Sequence, residues 1–221
     1  DDGSRSSAPG AEAVPSVLPW EDMQRLAFEK EALGFYLSGH PLDPWMGTLK
    51  AFRCVGSTAL AEGKDGSSVT AGGLVLGVKQ QTTKRGEAMA RIMLEDLEGS
   101  CEVILWPRVL EAARGLAQKD ARVLVRGRLD LSGDEARISA DEILSLDQAL
   151  AGAKELHVRL RLGLGAEALL AWAKARPGLA ALCLHLQDGS RKVVQKAGLR
   201  VALDPEGLRA LEGLGLEFWA L

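Results

Sequence analysis

Apolar and polar residues alternate through the middle of the chain, from Val69 to Leu146, in short runs separated by turns that contain Gly, Ser or Asp. A period of two residues bounded by such turns is typical of half-buried β-strands. The pattern predicts five strands, which cover residues 69–80, 88–97, 101–106, 122–130 and 136–146. Between the third and fourth strands the apolar period becomes helical. We expect this helix to begin at Pro107, because proline is favoured in a first helical turn.

Three strands, a helix and two further strands form the order of an OB-fold, a small barrel whose open face often binds single-stranded nucleic acid or oligosaccharide. The same order also suits a small antiparallel barrel that makes only protein contacts, since a fold does not fix a function. In the second strand, Ile92 is predicted to face the core and Arg91 the opposite side, because successive side chains of a strand alternate between its faces.

The region before the barrel has a different pattern. Residues 1–19 are rich in Ser, Ala, Gly and Pro and are predicted to form a flexible linker. Residues 20–68 are predicted to be a helical segment, whose first helix covers 21–37 and ends at Gly39 in the left-handed conformation of a helix cap. His40 follows this glycine. Because no nucleophile accompanies it, a packing role explains His40 better than a catalytic one.

The region after the barrel domain, which spans 69–150, alternates between strand and helix patterns over residues 151–221. Strands are predicted at 154–164, 180–187, 191–196, 199–203 and 214–221, and helices at 165–176 and 205–211. This succession predicts a small α+β domain of the ferredoxin-like or KH-like kind. The predicted fold class is therefore mixed: a short helical segment, an all-β OB-fold barrel and then a small α+β domain.

Charge limits how the chain could bind nucleic acid. It carries 27 Lys and Arg against 30 Asp and Glu, a net charge of −3, so contact with DNA requires a local basic strip. The barrel offers such a strip and one aromatic candidate for base stacking, Trp106, although a tryptophan at a strand end before Pro107 also suits the core. The candidate DNA-binding residues are Lys79, Lys84, Arg85, Arg91, Trp106, Arg126 and Arg128. The alternative is a solvated barrel face on which the arginines neutralise Glu95, Glu102 and Asp130.

Residues for catalysis are not grouped in the sequence. Asp96 and Glu98 flank a hairpin, while Asp141 and Glu142 are predicted on opposite faces of a strand, so neither pair suits a two-metal polymerase or nuclease site. Three scattered cysteines without a CxxC motif indicate a reducing compartment and no zinc site. We therefore expect no catalytic residue, cofactor or metal site, and no apolar run is long enough to span a membrane.

The segment Glu29–Leu42, which reads EKEALGFYLSGHPL, resembles a signature of the alpha subunit of bacterial DNA polymerase III, the replicative polymerase of the C family. The Thr83–Gly86 loop and the Leu94–Gly99 hairpin are also similar to that family. The resemblance covers residues from Trp20 to about Leu146 well, and the C-terminal region by position and pattern only.

The resemblance implies that this chain is a non-catalytic C-terminal part of a DNA-directed DNA polymerase, a nucleotidyltransferase. The helical segment would lie behind the fingers, with the polymerase carboxylates and the sliding-clamp motif upstream. The barrel would bind the single-stranded template, and the C-terminal domain would dock the tau subunit of the clamp loader. These roles belong to the cytoplasm and the nucleoid. The alternative is a barrel that serves only as a structural spacer in a protein-interaction module.

The last eight positions contain five large apolar residues, which are the candidate partner-binding residues: Leu214, Leu216, Phe218, Trp219 and Leu221. Chain ends usually fray unless something holds them, and a final core strand would explain the pattern without a partner. The resemblance favours docking, with Phe218 and Leu216 partly inward and Trp219 and Leu221 available to the partner.

Overall fold

The computed structural model describes residues 22–34, 36–113, 115–161, 165–188 and 191–221. Contacts divide the chain into two compact units, with the division between Gly39 and His40. The predicted boundary of the helical segment at residue 68 and that of the barrel domain at residue 150 both lie inside the second unit. The predicted linker, 1–19, lies outside the described residues.

The first unit contains helix α1, Asp22–Leu33, which ends four residues earlier than predicted. Gly34 has φ +81° and its amide donates to the carbonyl of Lys30 at 3.0 Å, so Gly34 is the left-handed residue that ends the helix. The prediction that Gly39 caps it was wrong. Gly39 has φ +148° and follows a turn in which the Glu29 carboxylate accepts bonds from the amides of Leu37 and Ser38.

The second unit begins with short helical turns: a 3-10 helix at Asp43–Trp45, helix α2 at Met46–Ala51 and a 3-10 helix at Ser57–Glu62. His40 starts this segment. Its amide donates to the Asp43 carboxylate at 2.6 Å, and its Nδ1 accepts from the amide of Leu42 at 3.1 Å. These bonds hold a turn, which agrees with the packing role expected for His40.

The predicted OB-fold barrel is confirmed. Its strands are β1 (Ser68–Thr82), β2 (Ala88–Glu95), β3 (Ser100–Leu105), β4 (Arg122–Asp130) and β5 (Arg137–Ser145), with helix α3 (Pro107–Ala112) between β3 and β4. The barrel closes in the order β1-β2-β3-β5-β4. Only the β3–β5 pair is parallel among these strand pairs. Side chains from all five strands fill the interior, among them Val75, Ile92, Val103, Val125 and Ile138.

Two bulges shift side chains away from the simple alternation. The β1–β2 register changes between Val75 and Gly77, so Leu74 and Val75 are both buried and the predicted common face of residues 74, 76 and 78 is broken. In β5, Ala140 pairs with Gly127 and Glu142 with Arg126. Asp141 is the extra residue, and both acids are exposed rather than on opposite faces.

Helix α4, Leu146–Gly152, was not predicted, and the assigned boundary at 150/151 falls inside it. It begins with a capping box: the Gln148 amide donates to Ser145 Oγ at 3.0 Å, and the Ser145 amide donates to Gln148 Oε1 at 2.9 Å. Leu146, predicted as the last strand residue, is fully buried at the start of this helix.

The C-terminal α+β domain has the predicted succession of elements. It consists of β6 (Glu155–Arg161), α5 (Ala166–Ala175), β7 (Pro177–Asp188), β8 (Arg191–Val201), α6 (Pro205–Gly213) and β9 (Glu217–Ala220). The sheet order is β8-β7-β6-β9, with β6 and β7 adjacent and parallel. A ferredoxin-like sheet is instead a split βαβ unit. The two strands expected at 191–196 and 199–203 form the single strand β8, whose register against β7 shifts between Ala181 and Cys183.

One apolar cluster joins the parts of the second unit. It contains Phe52 beyond α2, Leu124 on the outer side of β4, Leu150 of α4, and the helix-covered face of the C-terminal sheet. The helices after His40 therefore pack on the C-terminal domain. No helix in the described part of the chain has the length and apolar character needed to cross a membrane.

Candidate nucleic-acid interface

The outer face of the barrel carries a row of residues that are neighbours in strand register. Each partner lies on the next strand, and the row runs through Lys79, Arg91, Ile104, Ser139 and Arg128. Registered partners point to the same side of a sheet, and neighbouring strands lie about 4.8 Å apart. Three of the seven predicted DNA-binding residues therefore lie in one band around the barrel.

A cleft of about 490 Å³ opens beside this band, between the β1–β2 hairpin and the start of α3. Four predicted residues line it, namely Lys84, Arg85, Arg91 and Trp106. The remaining lining residues were not predicted as contacts; they are Thr82, Thr83, Glu87, Met89 and Pro107. The hairpin turn places the two cations at the rim: the Thr83 amide bonds the Glu87 carbonyl at 2.8 Å, and Gly86 supplies the left-handed φ of +82°.

Trp106 is held on the barrel surface rather than in its core. Its side chain is 45% exposed, and its Nε1 donates a hydrogen bond to Ser139 Oγ at 2.9 Å. Pro107 begins α3 directly after it. The ring is thus fixed at one edge while much of its surface stays open to a stacking partner. Ser139 was missed because its register position on β5, rather than any sequence motif, brings it to Trp106.

The cations of this surface differ in their partners. Arg91 pairs with Glu102 at 3.2 Å and Arg126 with Glu142 at 2.9 Å, so these two fit the alternative of a neutralised barrel face. Among the described residues, no carboxylate forms an ion pair with Lys79, Lys84, Arg85 or Arg128. Arg128 is 3.5 Å from the carbonyl of Gly66. Of the six predicted cations, the four without an ion pair among the described residues therefore lie at the hairpin (Lys84 and Arg85) and in the band (Lys79 and Arg128).

Acidic residues limit the extent of this surface. Asp130 on β4 pairs with Arg137 on β5 at 3.1 Å. Glu102 on β3 is the register partner of Arg137 on its other side. The hydrogen bonds from Ser132, followed by Arg137, lower the pKa of the Asp130 carboxyl. Asp96 is occupied structurally, since it accepts bonds from the Ser57 amide and hydroxyl. The positive surface is thus a local one, as the net charge requires.

The cysteines of the barrel region are unsuited to nucleophilic chemistry. Burial raises the pKa of the Cys54 thiol and of the Cys101 thiol to about 12. A thiol is reactive as the thiolate, so neither group is activated near neutral pH.

The predicted partner-binding residues are divided by the structure. Phe218 and Trp219 are buried in β9, at 2% and 8% exposure, whereas Leu221 is 65% exposed and Leu214 is 39% exposed. Leu216 is partly buried against the apolar cluster. Trp219 was expected to be available to a partner, and that expectation was wrong: its ring stacks on His157 at 5.3 Å between centroids.

Comparison with known proteins identifies similar sequences. A family model described as an OB-fold nucleic acid binding domain matches residues 69–146. The chain is 35% identical over 155 residues to the DNA polymerase III subunit alpha of Deinococcus radiodurans, and 32% identical over 144 residues to that of Escherichia coli strain K12. These matches cover 66% and 62% of this chain and 12% of each relative.

Among solved structures, a domain of replication protein A from Methanococcus maripaludis is 23% identical, with a TM-score of 0.33, and the match covers 39% of this chain and 90% of that one. The resemblance to DNA polymerase III alpha subunits is confirmed by the sequence matches, which together with the barrel fit an OB-containing C-terminal region of that subunit. The chain spans 12% of the length of those relatives.

Proposed function

We propose that this chain is part of a DNA polymerase III alpha subunit and that its barrel binds single-stranded DNA in the cleft at the β1–β2 hairpin. The observation that carries the proposal is the convergence of Lys84, Arg85, Arg91 and Trp106 on one cleft. The likeness to polymerase alpha subunits supports a role in replication, in which the bound single-stranded DNA would be the template.

Binding would combine charge and stacking. Lys84 and Arg85 form no ion pair with the described residues, so a DNA phosphate can pair with them without displacing a carboxylate. Arg91 must share its charge with Glu102 and contributes less. The exposed face of Trp106 can stack on one base, an interaction worth about 1–3 kcal/mol and tolerant of base identity. The expected binding is weak, independent of sequence and sensitive to salt.

The test is a titration of fluorescently labelled oligo(dT) with the full chain at several salt concentrations. Lys84→Ala/Arg85→Ala should weaken binding to all sequences and flatten the plot of log K against log salt by about 1.4, because each lost phosphate contact on a single strand changes the slope by about 0.7.

A matched control removes the same charge elsewhere. Lys174 in α5 and Arg209 in α6 are exposed and form no ion pair among the described residues. Lys174→Ala/Arg209→Ala should leave the slope unchanged. Equal slopes for wild type and the hairpin variant would exclude the cleft. No binding by the wild-type chain at low salt would instead favour the alternative of a structural spacer.

In this proposal the chain supplies binding, and nucleotidyl transfer belongs to the longer protein, in the cytoplasm with the nucleoid. The sliding clamp would be bound through a motif upstream. One carboxylate of each acidic pair named in the sequence has a structural partner: Asp96 accepts a hydrogen bond from the Ser57 amide, and Glu142 pairs with Arg126. A cryptic metal-dependent nuclease is the rival, and turnover of DNA by the purified chain with added Mg²⁺ would establish it.

A further proposal concerns the C-terminal domain, which we expect to dock the tau subunit through the exposed apolar residues near the chain end. Leu214 and Leu221 are the exposed members of the predicted set. Leu214→Ala/Leu221→Ala should weaken tau binding while leaving the melting temperature nearly unchanged. Leu179→Ala, at a leucine that is 85% exposed on β7, is the matched control. Undiminished tau affinity in the double variant would refute this surface.

A further inference from the structure

The face of the C-terminal sheet opposite helices α5 and α6 carries four side chains that can bind metals. Glu155 and His157 are two residues apart on β6 and so lie on the same face, as do Cys183 and His185 on the adjacent parallel strand β7. Because His157 and Cys183 are register partners, the two pairs lie side by side on this face of the sheet. The sequence signal was a Glu-x-His and a Cys-x-His on the two strands of one βαβ unit, and it was missed because neither has the spacing of a common zinc motif.

The donor atoms are close enough to share one ion. One donor atom each from Glu155, His157 and Cys183 lies within 4.8 Å of the others, and His157 Nε2 is 3.1 Å from Glu155 Oε2. Zn²⁺ is bound at about 2.0–2.3 Å by such atoms, so neighbouring ligands of a tetrahedral site lie roughly 3.3–3.8 Å apart. Small side-chain rotations would therefore complete the site.

The imidazole of His157 is already oriented as a ligand would be. Its Nδ1 lies 2.9 Å from His185 Nε2, which leaves Nε2 directed at Glu155. Its ring is parallel to that of Trp219, with 6° between the planes and 5.3 Å between the centroids. Metal-bound histidines characteristically use the second ring nitrogen for such an outer hydrogen bond.

The charges also suit a divalent ion. A thiolate and a carboxylate together carry two negative charges, and His157 adds a neutral donor. Lys196 contacts Glu155 through the other carboxylate oxygen, Oε1, at 2.8 Å, which offsets part of the carboxylate charge but leaves Oε2 directed at His157. Cys183 is 2% exposed and would release its thiol proton to solvent when the metal binds.

We propose that Glu155, His157 and Cys183 bind a divalent transition metal of the Zn²⁺ type, with His185 as the positioning residue for His157 and a water molecule as fourth ligand. Thiolate and imidazole favour Zn²⁺ and Co²⁺ over Mg²⁺ and Ca²⁺. The ion would tie β6 to β7 at the centre of the sheet. The proposal is independent of DNA binding by the barrel, because no barrel residue takes part.

Cobalt provides the test, on the full chain without a histidine tag. Adding Co²⁺ should produce the near-ultraviolet charge-transfer band of a thiolate ligand and the intense visible bands of tetrahedral cobalt, and Zn²⁺ should abolish both. Cys183→Ser should lose the charge-transfer band. Cys54→Ser/Cys101→Ser, which keeps Cys183 as the thiol, should retain it.

Three further measurements keep the result decisive if Cys183→Ser does not fold. Glu155→Gln alters a partly exposed side chain and should weaken Co²⁺ binding, and His185→Gln should weaken it by about 10–100-fold as a positioning residue does. X-ray absorption of the Zn²⁺-loaded wild type should show one sulfur among the ligands. A zinc shell without sulfur, or a cobalt spectrum that Cys54 and Cys101 account for, would overturn the proposal.

Discussion

The guanidinium carbon of Arg53 lies 4.3 Å from the centre of the Trp219 ring. Arg53 follows α2 and has the left-handed φ of +54°, which is uncommon for a residue with a side chain. Trp219 lies in the last strand, and its other neighbours include His157 and His185. Such a cation–π contact contributes about 0.5–2 kcal/mol, and it joins the first helices of the second unit to the end of the chain.

Removal of residues 217–221 should therefore lower the melting temperature by many degrees. The cut deletes β9, which pairs with β6 through Phe218 and Val158, and it takes the buried Phe218 ring out of the apolar cluster. Loss of a buried aromatic side chain alone costs about 3–5 kcal/mol. Circular dichroism during heating provides the measurement.

Leu221→Ala is the control for this truncation, since its side chain is 65% exposed and its removal should change the free energy of unfolding by less than about 0.5 kcal/mol. A truncated chain that melts with the wild type would show that β9 is a detachable docking segment, as the terminal apolar pattern had suggested.

The sequence predicted local periodicity well and tertiary placement less well. The five barrel strands follow from alternation, and the β4 range was predicted to the residue. The end of α1 was misplaced because two nearby glycines, Gly34 and Gly39, both suit a left-handed cap, and both adopt positive φ. Nothing local distinguishes the one that stops the helix.

In the candidate cleft, too, local periodicity was predicted better than tertiary placement. Outward charges such as Arg91 can be placed on a face by alternation, but Trp106 depends on a bond to Ser139, 33 residues away in sequence. Likewise, the burial of Trp219 depends on Arg53 and His157, which no local pattern connects to the chain end. Contacts between distant segments fix these positions, and a single sequence does not encode them as a readable period.

Gly47→Ala should destabilise the protein by about 1–3 kcal/mol, the usual cost of inserting a methyl group where packing is already tight. A Cβ at Gly47 would lie 2.7 Å from the carbonyl carbon of Leu208 and 2.8 Å from the amide nitrogen of Arg209. Both atoms belong to the backbone of α6, so the two helices would have to separate. Urea unfolding measures the effect.

The matched control is Gly213→Ala at the end of α6, where an added Cβ meets no atom within 4 Å. This change should be neutral or stabilising, because alanine restricts the unfolded chain more than glycine does. If Gly47→Ala were as stable as Gly213→Ala, α2 would not be packed on α6 as the structure describes.

Asp130 should make part of the free energy of unfolding dependent on pH, with stability lost in acid. Hydrogen bonds from Ser132 and then the charge of Arg137 lower the pKa of this carboxyl from the ordinary value of 3.8. The unfolded chain therefore binds the proton more readily than the folded chain. The contribution is fully present above pH 3.8 and is lost as the pH falls from there through the lower, folded-state value.

The measurement is urea unfolding of wild type and Asp130→Asn at a series of pH values. The amide retains the size of the carboxyl group but does not titrate. The difference in unfolding free energy should be constant near neutral pH and shrink below about pH 4. A difference that grows on acidification would contradict the direction of the pKa shift.

Trp106→Ala should reduce the affinity of the barrel for single-stranded DNA by about 1–3 kcal/mol, the contribution of one stacked base, with little change in the salt slope. Stacking releases no counterions, whereas a lost phosphate contact does. The salt slope thus separates the role of Trp106 from that of Lys84 and Arg85, although all three line the same cleft.

Quenching of tryptophan fluorescence in the five-tryptophan chain, compared with the Trp106→Phe variant, reports the stacking directly. Trp106→Phe should retain most of the affinity because the aromatic face remains, while Ser139→Ala should have an intermediate effect by freeing the ring edge that its hydroxyl holds at 2.9 Å. Identical DNA affinity in all four proteins would mean that the ring lies beside the strand without touching it, and that the cleft acts through charge alone.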